Sequence, residues 1–283
     1  YAEVERIHQL AGALAADPAL HEAKARPVVR TPATRRQRAW LRPLAWAAAL
    51  VLAVSGGLWL LGDSRPSPPS AYATEIGKQR RVDLPDGSSL VLDTNTLVQV
   101  SYERSQRHVA LLKGRIQASV AHDADRPFVV TSGTGSVRAL GTVFQVQRQD
   151  GGTLVALLEG RVVVSTQGDT PRRSIELHPL QQLVYGADGE FGPPQRIERN
   201  VAEGWTQGRL IFEEERLADL VTEFNRYSHD QLVLSGSELG EIRVSGVFNA
   251  GDQTALLATL RQGWGLQAQP IDGNRIELSA SQH

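Results

Sequence analysis

The sequence predicts a multidomain chain: a single transmembrane helix, then an all-β domain, then a smaller α+β domain built from βαβ units. Three observations carry this reading. Residues 44–61, LAWAAALVLAVSGGLWLL, contain no charged side chain. ALLKGRIQAS at 110–119 recurs as ALLEGRVVVS at 156–165, an offset of 46 residues. From Arg209 onward the apolar spacing alternates between periods of 2 and 3.6, in the order β-α-β-β-α-β-β.

Residues 1–43 come first. EVERIHQLAGALAA at 3–16 places Val4, Ile7, Ala11 and Leu14 on one face of a short helix. Residues 25–43 carry Pro27, Pro32 and Pro43 and read as a tether. The chain opens at Tyr1 and contains no Met, so the N-terminus is expected to be truncated.

The run at 44–61 reaches roughly 27 Å as a helix, enough for a hydrocarbon core. Lys24, Arg26, Arg30, Arg35, Arg36, Arg38 and Arg42 precede it with no acidic residue among them. That bias puts the N-terminus in the cytoplasm and the C-terminus across the membrane. Trp40 and Trp59 fit the two interfacial belts, and Trp46 lies in the first turn of the span. Residues 62–70 are a Pro-rich linker.

Residues 71–186 read as the β domain, a sandwich or curled antiparallel sheet. In RVDLPDGSSLVLD, Val82 and Leu84 alternate before a Pro-Asp-Gly turn, and Leu90 and Leu92 after it. Asp86 can accept hydrogen bonds from the turn amides, and Gly87 can take a positive φ. The repeated Leu-Leu-x-Gly-Arg predicts one supersecondary unit used twice. Gly114 and Gly160 then sit at turns or bulges, and Arg115 and Arg161 on the surface or flanking a ladder. Val137, Ala139 and Val143 suggest a half-buried hairpin at a sheet edge.

Residues 187–203, with Pro193 and Pro194, read as a second linker, and 204–283 as the last domain. Leu217, Leu220, Val221 and Phe224 mark one helical face, and Leu256, Leu257 and Leu260 a second helix that Asp252 can cap. The economical arrangement is one sheet with the helices laid on it.

Composition narrows the function. A formal charge of −1 argues against nucleic-acid binding. With no Cys there is no thiolate nucleophile or Cys-ligated metal, and none of the seven His forms a ligand-spaced pair. No G-x-S-x-G, H-E-x-x-H or phosphate loop occurs. The chain is read as a non-enzyme without cofactors that works by binding.

At this point several blocks carry a resemblance. VDLPDGSSLVLDTNT (82–96), ALLKGRIQASV (110–120), GSVRALGTVFQV (135–146) and ALLEGRVVVS (156–165) resemble the periplasmic domain of the FecR family of anti-sigma regulators. Leu210 to Leu278 resembles the short βαβ signalling domain at the N-termini of TonB-dependent receptors and secretins. The opening YAEVERI…LAADPAL resembles the end of the family's cytoplasmic helical domain, so 1–43 is a remnant of it plus a tether.

The resemblance implies a single-pass inner-membrane protein. Its partners would be a cytoplasmic extracytoplasmic-function sigma factor and the signalling domain of a TonB-dependent outer-membrane siderophore receptor. Envelope proteases would cut it to release the sigma factor. Some members also cut themselves at a Gly-Thr bond, which here would be Gly141–Thr142, although Gly133-Thr134 and Gly152-Thr153 also occur and a turn glycine before a β-former reads the same way. A Thr hydroxyl can attack the preceding carbonyl and form an ester that hydrolyses.

The candidate partner-binding residues are Leu234, Ile242, Val244, Val247, Phe248 and Trp264, with 242–248 as an edge strand open to β-augmentation. The same residues suit the core of a small domain. The alternative function is a single-span envelope assembly or scaffold protein that docks a secretin-like component.

Overall fold

The computed structural model describes residues 69–166 and 173–280. The apolar run at 44–61, the basic tether and the N-terminal helix lie outside the described residues. Among the described residues no helix is long and apolar enough to cross a membrane. Ser64–His283 is one compact unit.

Alternating apolar residues build its larger part, a sandwich of two seven-stranded sheets. The first sheet holds, in spatial order, β1 (Ser70–Ala73), β4 (Leu97–Tyr102), β5 (Arg107–Lys113), β7 (Phe128–Ser132), β8 (Gly135–Ala139), β11 (Val162–Thr166) and β12 (Arg173–Leu177). The second runs β14 (Gln195–Arg196), β13 (Gln181–Gly186), β10 (Gly152–Glu159), β9 (Val143–Gln149), β6 (Arg115–Ser119), β3 (Ser89–Leu92) and β2 (Arg80–Asp83). All pairings are antiparallel except β5 with β7. Leu90, Val98, Val109, Val130, Phe144, Val155 and Val164 fill the space between the sheets. The Pro85-Asp86-Gly87 turn forms as expected, with Gly87 at φ 82° and the Ser88 amide donating to Asp86.

The 46-residue repeat organises the whole sandwich. Adding 46 to the pair Tyr72–Val98 gives Ala118–Phe144, and adding it to Val98–Leu111 gives Phe144–Leu157; all four are observed registers. Even the irregular pair Leu97–Lys113, beside a bulge, returns as Val143–Glu159 beside another. Copy one places β1, β4 and β5 in the first sheet and β2 and β3 in the second; copy two places β6, β9 and β10 in the second and β7 and β8 in the first. Each copy therefore contributes to both sheets, and both β7 and β8 lie in the sheet interior. Val137 and Ala139 are buried while Arg138 between them is exposed, the half-buried alternation expected, but β8 lies between β7 and β11 rather than at a sheet edge, which corrects that part of the expectation.

The predicted linker 187–203 contains β14 and most of helix α1 (Arg199–Gly204), which runs one residue past it. The last domain follows as β15 (Arg209–Arg216), α2 (Leu217–Asn225), β16 (Gln231–Leu234), β17 (Arg243–Asn249), α3 (Gln253–Trp264), β18 (Leu266–Asp272) and β19 (Arg275–Ala280). This is the predicted element order. The Asp252 side chain caps α3 by accepting from the Ala255 amide at 3.0 Å. The single sheet expected here is two: β15 pairs with β17, while β19 lies between β16 and β18. The apolar faces of α2 and α3 share one core with strands of both sheets, through Leu217, Leu220, Phe224, Leu256 and Leu260 against Leu210, Val244 and Leu278.

Candidate functional site

A buried ion pair, Arg107 with Asp86 at 2.7 Å, ties β5 to the Pro85-Asp86-Gly87 turn, and two further places in this unit combine burial with reactive or charged groups. The first is the crossover between β8 and β9, where the chain leaves one sheet for the other at Leu140–Thr142. Gly141 is glycine for space rather than for backbone angle, since its φ lies outside the left-handed region. A Cβ there would lie 2.9 Å from His122 Nδ1. Gly160, at φ 84°, closes the other side: its Cβ would meet the Gly141 carbonyl oxygen and Thr142 Cγ2, each at 2.8 Å. Thr142 is buried, and its hydroxyl has no hydrogen-bond partner. A buried hydroxyl without a partner costs about 1–3 kcal/mol, so this group departs from ordinary packing.

The repeat supplies an internal comparison. Thr96 precedes Thr142 by the same 46 residues, and Gly114 precedes Gly160. The Thr96 hydroxyl donates to the carbonyls of Thr94 and Arg115 and accepts from the Arg115 amide. It is also the atom nearest a Cβ on Gly114, at 2.2 Å. In the second copy the methyl, not the hydroxyl, faces the glycine. The two threonines thus turn opposite branches toward equivalent glycines, and only Thr142 carries an unpartnered hydroxyl.

The second place is the junction of the sandwich with the C-terminal domain. Asp93, fully buried at the end of β3, is its hub. Arg115 reaches it through Nε at 2.8 Å and Nη2 at 2.7 Å, and Arg226 through Nη2 at 2.9 Å. The Tyr227 hydroxyl donates to it at 2.9 Å and accepts from Arg115 Nη2 at 2.7 Å. Gln79 donates to Asp93 at 2.9 Å and to the Trp205 carbonyl at 2.8 Å. Glu223 on α2 pairs with both arginines, at 2.9 and 2.8 Å. The Arg115 guanidinium also lies 4.5 Å above the Trp205 ring.

Burial pushes the Asp93 carboxyl up. The two guanidinium charges, with hydrogen bonds from Gln79 and the Thr94 backbone, outweigh burial and hold it below the usual carboxylate range. Burial raises the Tyr227 phenol above its ordinary value and keeps it a donor. Farther along, Gln145 donates to the Ala202 carbonyl and Arg199 to that of Leu158. The Asp93 cluster therefore clasps the two domains, and the linker helix α1 is tied to the sandwich beside it. A polar cleft of about 590 Å³ opens beside the clasp, lined by Arg148, Asp150, Asp219 and Thr222 among others.

Residues 70–163 match the family model described as FecR protein. These residues form a FecR domain. The described unit is also similar in fold to two crystal structures of a candidate anti-sigma factor from Parabacteroides distasonis ATCC 8503. One has a TM-score of 0.64 at 22% identity, covering 75% of this chain and 100% of that one. The other has a TM-score of 0.63 at 22% identity, covering 76% and 100%. None of the curated proteins matches this chain.

The FecR domain contains both Gly141 and Thr142, whereas the candidate partner residues all lie beyond it. Val244 is fully buried, and Phe248 packs in an aromatic cluster with Phe212 and Phe224, centroids 6.1 and 5.7 Å away. Leu234, Ile242 and Trp264 are half-buried against the same core. Val247, 60% exposed, faces outward on β17, which pairs with β15 alone. Sequence reasoning overlooked the clasp and His122. It also treated the two repeat arginines alike. Arg161 is exposed and paired with Glu176, whereas Arg115 is buried under the C-terminal domain, which corrects the surface expectation for that residue. Among the described residues no group of His, Cys, Asp or Glu could hold a metal ion.

Proposed function

We propose that this protein is a single-pass inner-membrane anti-sigma regulator. It relays a siderophore-receptor signal from the periplasm to a cytoplasmic extracytoplasmic-function sigma factor, and regulated proteolysis releases that factor. The observation that carries the reading is the FecR domain clasped to a βαβ domain, set behind an uncharged run with a basic flank. In this reading the chain spans the membrane at 44–61, and residues 1–43 lie in the cytoplasm as the remnant of the sigma-binding domain. The signalling domain of a TonB-dependent receptor docks on the C-terminal domain by adding a strand to the free edge of β17, with Val247 as the outward apolar contact. The whole chain, cross-linked in envelopes through a photoreactive residue at Val247, should recover such a receptor. Recovery of a secretin component instead would support the scaffold reading and refute this one.

Self-cleavage at Gly141–Thr142 belongs to the same proposal. The unpartnered Thr142 hydroxyl supports it. In the first step Thr142 Oγ attacks the Gly141 carbonyl carbon. The hydroxyl proton passes to the Thr142 nitrogen as the C–N bond breaks, leaving an ester and a free amine. Mass spectrometry of the purified chain tests this: fragments ending at Gly141 and starting at Thr142 support it, and an intact chain refutes it.

A further inference from the structure

Resting on the self-cleavage reading, we infer that His122 is the base that completes it, by activating the water that hydrolyses the ester. An N-to-O shift alone leaves the chain connected, because the Gly141 acyl group remains bound to Thr142 Oγ. Separation needs water at that acyl carbon, and the neighbourhood of Gly141 is asymmetric. Gly160 crowds the carbonyl oxygen and the Thr142 methyl. His122 also borders Gly141, with its Nδ1 2.9 Å, its Cβ 3.1 Å and its Cα 3.2 Å from the point a Gly141 Cβ would occupy.

His122 is exposed, so its imidazole meets solvent and the reacting residue together. Thr142 is buried and its hydroxyl bonds to nothing, His122 included. That geometry suits the imidazole to the second step rather than the first. The position is held from the backbone: the Val120 amide donates to the Thr142 carbonyl, and the Asp123 amide to that of Leu140, each within 3.1 Å. His122 therefore sits on a two-rung ladder that brackets Gly141.

The step balances as follows. Water adds to the Gly141 carbonyl carbon while the imidazole takes its proton. The tetrahedral centre collapses, the C–Oγ bond breaks, and the imidazolium returns the proton to Thr142 Oγ. The products are a Gly141 carboxyl and a chain beginning with Thr142, at the cost of one water. The first repeat copy provides the contrast, since Ile76 occupies the position 46 residues before His122 and the Thr96 hydroxyl is fully bonded.

The test uses the whole chain carrying His122→Ala or His122→Gln, made alongside wild type. General-base removal predicts separation about 100-fold slower. The unseparated variant should carry the ester, so hydroxylamine should cut it and leave a hydroxamate on Gly141. Free imidazole should restore cleavage in His122→Gly. His122 is exposed, so folding, followed by circular dichroism, should be unchanged. A wild type that separates and a His122→Ala that separates equally fast would overturn the role of His122 while leaving self-cleavage standing. A wild type that neither separates nor yields to hydroxylamine would overturn both.

Discussion

Replacing Asp93 by Asn tests how the FecR domain and the C-terminal domain are held together. The substitution preserves shape and removes one charge. In the native cluster Asp93 and Glu223 balance Arg115 and Arg226. The Asn variant leaves two guanidinium groups sharing Glu223, and turns an amide N–H₂ toward donors. Breaking a buried pair of this kind costs about 3–5 kcal/mol. Glu223 and Arg226 keep 19% and 20% of their side-chain surface exposed, so water screens part of the imbalance and the lower end, about 3 kcal/mol, is expected.

The assay is urea unfolding of Ser64–His283, followed by circular dichroism, with limited proteolysis of 187–198 as a probe of domain separation. The variant should unfold earlier and be cut faster. The pH dependence has a defined sign. The folded Asp93 carboxyl titrates below its ordinary value, so its stabilisation is complete above the unfolded pKa of about 3.9 and is lost as pH falls through the folded pKa. The gap between wild type and variant should therefore be full at pH 7 and shrink in acid. A gap under about 1 kcal/mol at pH 7, or one that widens in acid, would refute the assignment of Asp93 as the charged hub.

Two further outcomes follow from the same geometry. Tyr227→Phe removes the hydroxyl that bridges Asp93 and Arg115 and should cost about 1.5–3 kcal/mol in the same urea assay, with faster proteolysis at the junction. Gly114→Ala and Gly151→Ala have nearly equal φ, 85° and 86°, but only the first would press a Cβ into Thr96. Gly151→Ala should therefore cost about 1–2 kcal/mol for the left-handed backbone. Gly114→Ala should lose more than about 4 kcal/mol or fail to fold.

What could be read in the sequence was what depends on neighbours along the chain. Alternating Val and Leu gave the strands, the Leu217–Phe224 spacing gave α2, and Asp252 gave the start of α3. The Leu-Leu-x-Gly-Arg repeat announced a duplicated unit, and its glycines do take φ values of 85° and 84°. What could not be read depends on which surface meets which. Arg115 and Arg161 each follow Leu-Leu-x-Gly, yet Tyr227 and Glu223, over a hundred residues away, cover only the first. Thr96 and Thr142 follow the same rule: the residue type is the same, but which branch faces the glycine is settled by three-dimensional packing. Val244 and Phe248 alternate as an edge strand would, and that alternation does not say which face meets α2 and α3.

The crossover at Gly141–Thr142 also divides the sandwich mechanically. Strands β1–β8 precede it and β9 onward follow it, so each sheet has a single seam between the two parts, β8 against β11 and β6 against β9, each a five-pair ladder. The Asp93 clasp crosses the same seam, because Asp93 and Arg115 belong to the first part and Tyr227, Arg226 and Glu223 to the second. A chain cut here would not fall apart on cutting. Its halves would stay mated with a lifetime set by the apolar core they share, two ladders and one ion cluster. A pull on the C-terminal domain would then have to shear that seam, so force, rather than occupancy alone, would decide when the N-terminal half is left alone.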